Sequence, residues 1–152
     1  MPDDPSPLAL ESFLPYRLSL LANRVSRGFA RLYQRKFDLK PPEWRVVAVL
    51  AHCSGLSAGQ LASLTAMDKV AISRALARLQ RMGRVVVQSD GRDRRRQTLA
   101  LSDAGIDLYR QILPLAHHIE STLLAGLDGD ARDALDMLLL RLQASAQRID
   151  PG

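Results

Sequence analysis

The sequence predicts a mainly helical protein that contains one small β-hairpin. Along most of its 152 residues, apolar side chains recur at steps of three and four, which places them on one face of an α-helix. Only between Val85 and Leu101 does the apolar period change to two, as is typical of strands. Apolar residues make up 47% of the chain and aromatic residues 5%, so Leu, Val, Ile and Ala must form the core, a composition that favours helices.

Two helices are expected in the N-terminal third. The first runs from about Phe13 to Phe37, with Ser12 as its N-cap residue. The second begins at the Pro41-Pro42 pair and ends at about His52, because proline is favoured in the first turn of a helix. The apolar stripe of the first helix consists of Leu14, Leu18, Leu21, Val25, Phe29 and Leu32.

Two short helices joined by a three-residue turn come next. Ser57 and Gln60 have the spacing of a capping box for the first of them. Asp68 caps the second, and Gly83 ends it. The second helix is expected to bury Ile72, Leu76 and Leu79 and to be basic on its free face. Two such helices followed directly by a hairpin form a winged helix-turn-helix.

The C-terminal part is expected to form two further helices. Ser102 caps a long one from about Asp103, with an apolar stripe from Ile106 to Leu123 and a kink at Pro114, and Asp128 caps the last. These stripes need a partner, and a second copy of the chain is the simplest one. The predicted organisation is one unit over 1–152, with a winged helix-turn-helix at 41–102 and dimerisation helices at 8–37 and 103–150.

The basic charge is concentrated around the second short helix and the hairpin. Residues 69–96 carry nine basic and two acidic side chains and sum to +7, whereas the whole chain carries +5. Everything outside this window therefore sums to −2. Charge concentrated on one helix and its neighbouring turn is expected of a surface that meets a polyanion, most often nucleic acid.

These residues together resemble the multiple antibiotic resistance regulator (MarR) family of bacterial winged-helix transcription factors, over nearly the whole chain. The matching positions are Leu61-Ala62, Asp68-Lys69, Ile72-Ser73-Arg74, Leu79, Gly83 with Val85, Asp90-x-Arg92-Asp93-x-Arg95 and Leu99-x-Leu101-Ser102-x-x-Gly105. Ser102 replaces the usual Thr but keeps a capping hydroxyl. The resemblance implies a dimer that reads a pseudo-palindromic operator in double-stranded DNA, with a cleft that often binds a small effector.

On the second short helix, six residues are expected to face outward: Lys69, Val70, Ser73, Arg74, Ala77 and Arg78. Arg74 is the best candidate for a bidentate contact with guanine in the major groove, and Val70 or Ala77 for a thymine methyl group. Lys69, Ser73 and Arg78 are expected to reach phosphates, which fix the register of the protein without reading sequence.

The tip of the hairpin is the second predicted contact. Arg92, Arg94, Arg95 and Arg96 cluster there, and Asp93 lies among them. Asp93 is expected to pair with Arg95 and to hold its guanidinium extended toward the minor groove.

An effector site is predicted where the first, second and fifth helices approach one another. Its residues would be Tyr16, Arg17, Trp44, Arg45 and His117. An aromatic acid would suit an arginine for its carboxylate and a tryptophan for its ring. The alternative interpretation is that Trp44 belongs to the core and that the arginines are solvated.

Two chemical alternatives are less consistent with the sequence. Residues 55–59 match the G-x-S-x-G pattern of serine hydrolases, with Asp107 and His117 in triad order, but no strand leads into Gly55, and Ser57 is better explained as a helix cap. A metal site at His117, His118 and Glu120 would need His52 as well. We therefore predict no enzymatic activity, no cofactor and no metal.

The remaining expectations concern redox state, location and regulation. Cys53 is expected to be a packed, inert thiol, although a peroxide-sensing role is the alternative. The absence of a basic leader or a long apolar run predicts a cytoplasmic protein with no membrane partner. The predicted function is a repressor that a small molecule releases; an effector-independent or metal- or redox-responsive regulator is the alternative.

Overall fold

The computed structural model describes residues 7–90 and 93–149, and of residues 90 and 93–96 it describes the backbone alone. This part of the chain contains six helices and two strands: α1 (Leu14–Phe37), α2 (Pro41–His52), α3 (Ala58–Thr65), α4 (Lys69–Arg81), β1 (Val85–Asp90), β2 (Asp93–Leu101), α5 (Asp103–Leu124) and α6 (Gly129–Ala146). The predicted fold class is confirmed. Within the described residues, none of the helices is long and apolar enough to cross a membrane.

The chain divides into two compact units, one up to Pro41 and one from Pro42 onward. The N-terminal unit contains α1, and its first turn differs from the prediction. Phe13 occupies the N-cap position without a side-chain bond, and the Ser12 hydroxyl instead donates to the Ala9 carbonyl at 3.1 Å. Ser12 as a cap is therefore wrong, because a short turn before the helix uses its hydroxyl.

In the second unit, the predicted helix caps are confirmed. The Ser57 hydroxyl accepts from the Gln60 amide at 3.2 Å, and the Gln60 side chain accepts from the Ser57 amide at 2.8 Å. Asp68 accepts from the amide of Ala71 at 2.8 Å and starts α4. Ser102 and Asp128 begin α5 and α6 in the same way, with their side chains accepting from amides three residues on. Each cap satisfies an N–H that the first turn leaves unbonded.

The core of the second unit is aliphatic, and α4 contributes Ile72, Leu76 and Leu79 to it as predicted, together with Ala75. The other buried aliphatic side chains of this unit are Val46, Val47, Leu50, Leu61, Val85, Leu99, Ala100, Leu108 and Ile112. On α5 the buried face runs through Gly105, Leu108 and Ile112. The predicted stripe from Ile106 to Leu123 lies beside this face, and its two ends are exposed. Its expected burial against a second copy stays a prediction.

The hairpin is antiparallel and pairs Val85 with Leu101 and Val87 with Leu99. Its base is tied to the loop between α2 and α3, because the Leu99 amide donates to the Leu56 carbonyl at 2.8 Å and its carbonyl accepts from the Gly55 amide at 2.9 Å. The register shifts between Ser89 and Asp90, before the tip. Two backbone hydrogen bonds therefore hold the hairpin against the loop between α2 and α3.

Candidate nucleic-acid interface

The exposed face of α4 carries five of the six residues that the sequence predicts as DNA contacts. Their side chains face solvent, while Ile72, Ala75, Leu76 and Leu79 cover the opposite face of the helix. The five are Lys69, Val70, Ser73, Arg74 and Ala77. Because the buried face fixes the rotation of the helix, two cations, a hydroxyl and two apolar groups are presented together on one surface.

Arg78 differs from the prediction, which placed it among the outward-facing residues. Its Nη1 donates to Glu43 Oε2 at 2.5 Å, and its side chain retains only 22% of its exposure. Glu43 lies in the first turn of α2 with a side chain that is 4% exposed. A nearly buried carboxylate requires a charged or hydrogen-bonding partner, and α4 supplies the guanidinium. The outward orientation expected for Arg78 is wrong, and its predicted phosphate contact has nothing in this geometry to favour it.

Glu43 is a residue that sequence reasoning missed. Thirty-five positions separate it from Arg78, and no local pattern marks the pair. A weak signal exists on the helical wheel, since at 100° per residue Arg78 is about 40° closer than Arg74 to the centre of the buried face. The ion pair joins α2 to α4 and thereby fixes the orientation of the helix that presents Arg74.

The junction between α4 and the hairpin is closely packed around Ser102 and Gly105. The Ser102 hydroxyl donates to the Gly83 carbonyl at 2.5 Å and accepts from the Gly105 amide at 3.1 Å. Gly83 has φ +66°, a left-handed conformation that glycine adopts readily. A Cβ on Gly105 would lie 2.1 Å from the Arg84 carbonyl oxygen, so only glycine fits there. This junction sets the position of the wing relative to α4.

The predicted wing contacts fall at the edge of the described chain. Arg92 lies outside the described residues, as do the side chains of Asp93, Arg94 and Arg95. The backbone of Asp93 starts β2 and pairs with Asp90. The DNA contacts of the wing and the pairing of Asp93 with Arg95 stay predictions.

The five predicted effector residues are distributed over both units of the chain. Tyr16 and Arg17 lie on α1 and are exposed. In the second unit, the Trp44 ring stacks on Tyr109 with centroids 6.0 Å apart and planes inclined by 15°. Arg45 is exposed, and His117 Nδ1 lies 3.8 Å from Glu120 Oε2 on the surface of α5.

Two surface grooves in the described chain, of about 380 and 400 Å³, are lined instead by residues of α3 and α4 and of the loop before α3. Neither contains any of the five predicted effector residues. The aromatic stack of Trp44 on Tyr109 agrees with either the binding or the core interpretation of Trp44. The effector site therefore stays a prediction.

The chemical alternatives gain no support from the geometry. Ser57 is engaged in its capping box, and the chain reaches it from α2 through a bend rather than from a strand. Cys53 is exposed, so the expected packing of this thiol is wrong; it follows the last residue of α2, beyond the buried face of that helix. No three potential metal ligands cluster anywhere in residues 7–90 and 93–149.

The chain is similar in sequence to known transcriptional regulators. A model of the MarR family matches residues 37–96, which span α2 to the hairpin. The transcriptional regulator HosA of Escherichia coli O111:H- is 26% identical over 109 residues, which are 72% of this chain and 80% of that protein.

Solved structures agree with this relationship. A MarR/EmrR family regulator from Acinetobacter sp. ADP1 superposes with a TM-score of 0.83 and is 26% identical, over 88% of this chain and 94% of the other. A probable transcriptional regulator from Pseudomonas aeruginosa has a TM-score of 0.75 at 29% identity, over 88% and 98% of the two chains. The Staphylococcus aureus MepR–DNA complex has the same fold, with a TM-score of 0.78 at 19% identity over 88% and 98%.

Proposed function

We propose that this chain is a DNA-binding, winged-helix transcriptional regulator of the MarR family, and that it acts as a homodimeric repressor that a small effector releases from its operator. The observation that carries the proposal is the α4 face, where Lys69, Ser73 and Arg74 are exposed opposite a fully packed core face. A helix that presents cations and small side chains on one solvent face has the composition needed to enter a major groove.

Within this proposal the α4 residues have distinct roles. Arg74 reads guanine through its bidentate guanidinium, and Val70 and Ala77 contact thymine methyl groups. Lys69 and Ser73 bind phosphates and set the register. Arg78 acts from inside the protein through its bond to Glu43, so its role is to orient α4 rather than to touch DNA.

The proposed dimer accounts for the apolar side chains that remain exposed on the long helices. On α1, Leu14, Leu18 and Leu21 are exposed. On α6, no residue is buried and five large apolar side chains are exposed: Met137, Leu138, Leu139, Leu140 and Leu142. Covering these residues with a second copy would remove large apolar areas from water and would give two α4 helices a fixed spacing.

The salt dependence of DNA binding tests the proposal. We expect the affinity for genomic fragments selected by the protein to fall steeply as salt rises, with a slope of about −0.9 for each phosphate contacted. Sequencing the same fragments would identify the operator, which should contain an inverted repeat. An affinity that does not respond to salt would overturn the proposal.

A further inference from the structure

Helix α1 carries a strongly basic surface that lies outside the winged helix-turn-helix. Its 24 residues contain six basic side chains and no acidic one. Four of the arginines are exposed and recur at steps of three and four: Arg24, Arg27, Arg31 and Arg35. We call these four residues the α1 arginine stripe. At 100° per residue they fall within a sector of about 80° on one side of the helix.

The α1 arginine stripe takes no part in the ion pairs found among the described residues, whose carboxylates belong to Glu43, Asp107 and Glu120. Arg27, Arg31 and Arg35 are spaced i, i+4, so they repel one another along the helix surface. Each such like-charge pair lowers the stability of the helix. A helix that accepts this repulsion over its C-terminal half is suited to a ligand that is itself a line of negative charge.

The stripe is also distinct from the surface that a second copy would cover. The exposed apolar side chains of α1, among them Leu14, Leu18 and Leu21, are centred about 110° away from the stripe around the helix axis. Ala30 and Tyr33 occupy a third, buried face. Dimerisation through the apolar face therefore leaves the four guanidinium groups in solvent.

We infer that the α1 arginine stripe is a second DNA-contacting surface, which binds the phosphate backbone without reading sequence. Rises of 1.5 Å per residue place successive arginines about 4.5–6 Å apart along α1, within reach of phosphates that follow one another every 3.4 Å of axis on each strand. The inference rests on the proposed DNA binding by α4 and adds to it a contact from outside the winged helix-turn-helix. Its effect is on affinity and salt dependence, since phosphate contacts carry no sequence information.

Two charge-matched double variants of the full-length protein test this inference. Arg27→Gln with Arg31→Gln removes two charges from the stripe. Arg110→Gln with Arg141→Gln removes two from exposed positions on α5 and α6. Binding to a random-sequence duplex of about 40 base pairs is measured as a function of salt for both variants and the wild type.

The stripe variant is expected to reduce the magnitude of the salt slope by about 0.9 for each lost contact, which is about 1.8 for each bound protomer and about 3.6 for the proposed homodimer. The control variant should keep the wild-type slope. Equal slopes for all three proteins would overturn the inference. So would equal reductions in both variants, which would indicate a general charge effect. A change of oligomeric state in the stripe variant, measured by sedimentation, would assign the stripe to another copy instead. If the wild type itself binds no DNA, the proposed function fails, and not the stripe alone.

Discussion

Arg78 of α4 donates to Glu43 of α2 over 2.5 Å, and this ion pair joins two helices of the winged helix-turn-helix. The carboxylate is nearly buried, whereas the guanidinium keeps about a fifth of its exposure. Removing each partner should therefore cost a different amount of stability. Loss of Arg78 leaves a buried carboxylate without a counter-charge, whereas loss of Glu43 leaves a guanidinium that water can still reach.

We expect Arg78→Ala to lower the free energy of unfolding by about 2–3 kcal/mol and Glu43→Ala by about 1–2 kcal/mol. Arg81→Ala is the control, since Arg81 lies on the same helix and is exposed; its effect should stay within about 0.5 kcal/mol. Urea denaturation of the three variants provides the measurement. Equal effects of Arg78→Ala and Arg81→Ala would exclude a stabilising role for the ion pair.

Gly105 provides a second test of how the wing is fixed to α4. Gly105→Ala would place a methyl group 2.1 Å from the Arg84 carbonyl oxygen, and we expect a loss of about 1–3 kcal/mol in unfolding free energy because backbone must move. Gly28→Ala is the matched control: Gly28 is also helical, and a Cβ there meets nothing within 4 Å. That change should stabilise the protein by up to about 1 kcal/mol. If both alanines were tolerated alike, the close approach at Gly105 would not be a real constraint.

The wing arginines should contribute to affinity rather than to sequence preference. Arg94→Ala and Arg95→Ala are each expected to reduce the magnitude of the salt slope by about one unit for each bound protomer, and so by about two for the proposed homodimer, if each arginine makes one phosphate contact. In competition between operator and random duplexes, both variants should prefer the operator by the same factor as the wild type. A variant that lost discrimination without a change of slope would assign that arginine to base reading in the minor groove.

The effector hypothesis predicts binding of aromatic carboxylates. Calorimetry with a panel of hydroxybenzoates and cinnamates should detect binding, and the ligand that binds should weaken operator affinity. Arg17→Ala should abolish this release without changing operator binding in the absence of ligand, because its proposed partner is the carboxylate. No heat with any ligand, together with unchanged release in the variant, would eliminate the site.

The local signals in the sequence were sufficient for the elements and for most of the α4 surface. Capping residues such as Ser57, Asp68 and Ser102 form their predicted bonds, because a cap depends on residues only three positions apart. The Glu43–Arg78 pair was missed because its partners are distant in sequence. The basic character of α1 was missed for a different reason. The charge outside residues 69–96 sums to −2, because acidic residues elsewhere cancel the six cations of this helix. The net charge of a long segment does not show that basic residues recur at helical spacing, whereas the spacing of arginines along α1 does.

Sequence discrimination by Arg74 tests the role of α4 most directly. The affinities of wild type and Arg74→Ala are compared on the selected operator and on a duplex with the same base composition in scrambled order. Because a bidentate contact distinguishes guanine from other bases by about 1–3 kcal/mol, the variant should lose that much preference for the operator while its binding to the scrambled duplex changes far less. An operator preference equal to that of the wild type would contradict base reading by α4.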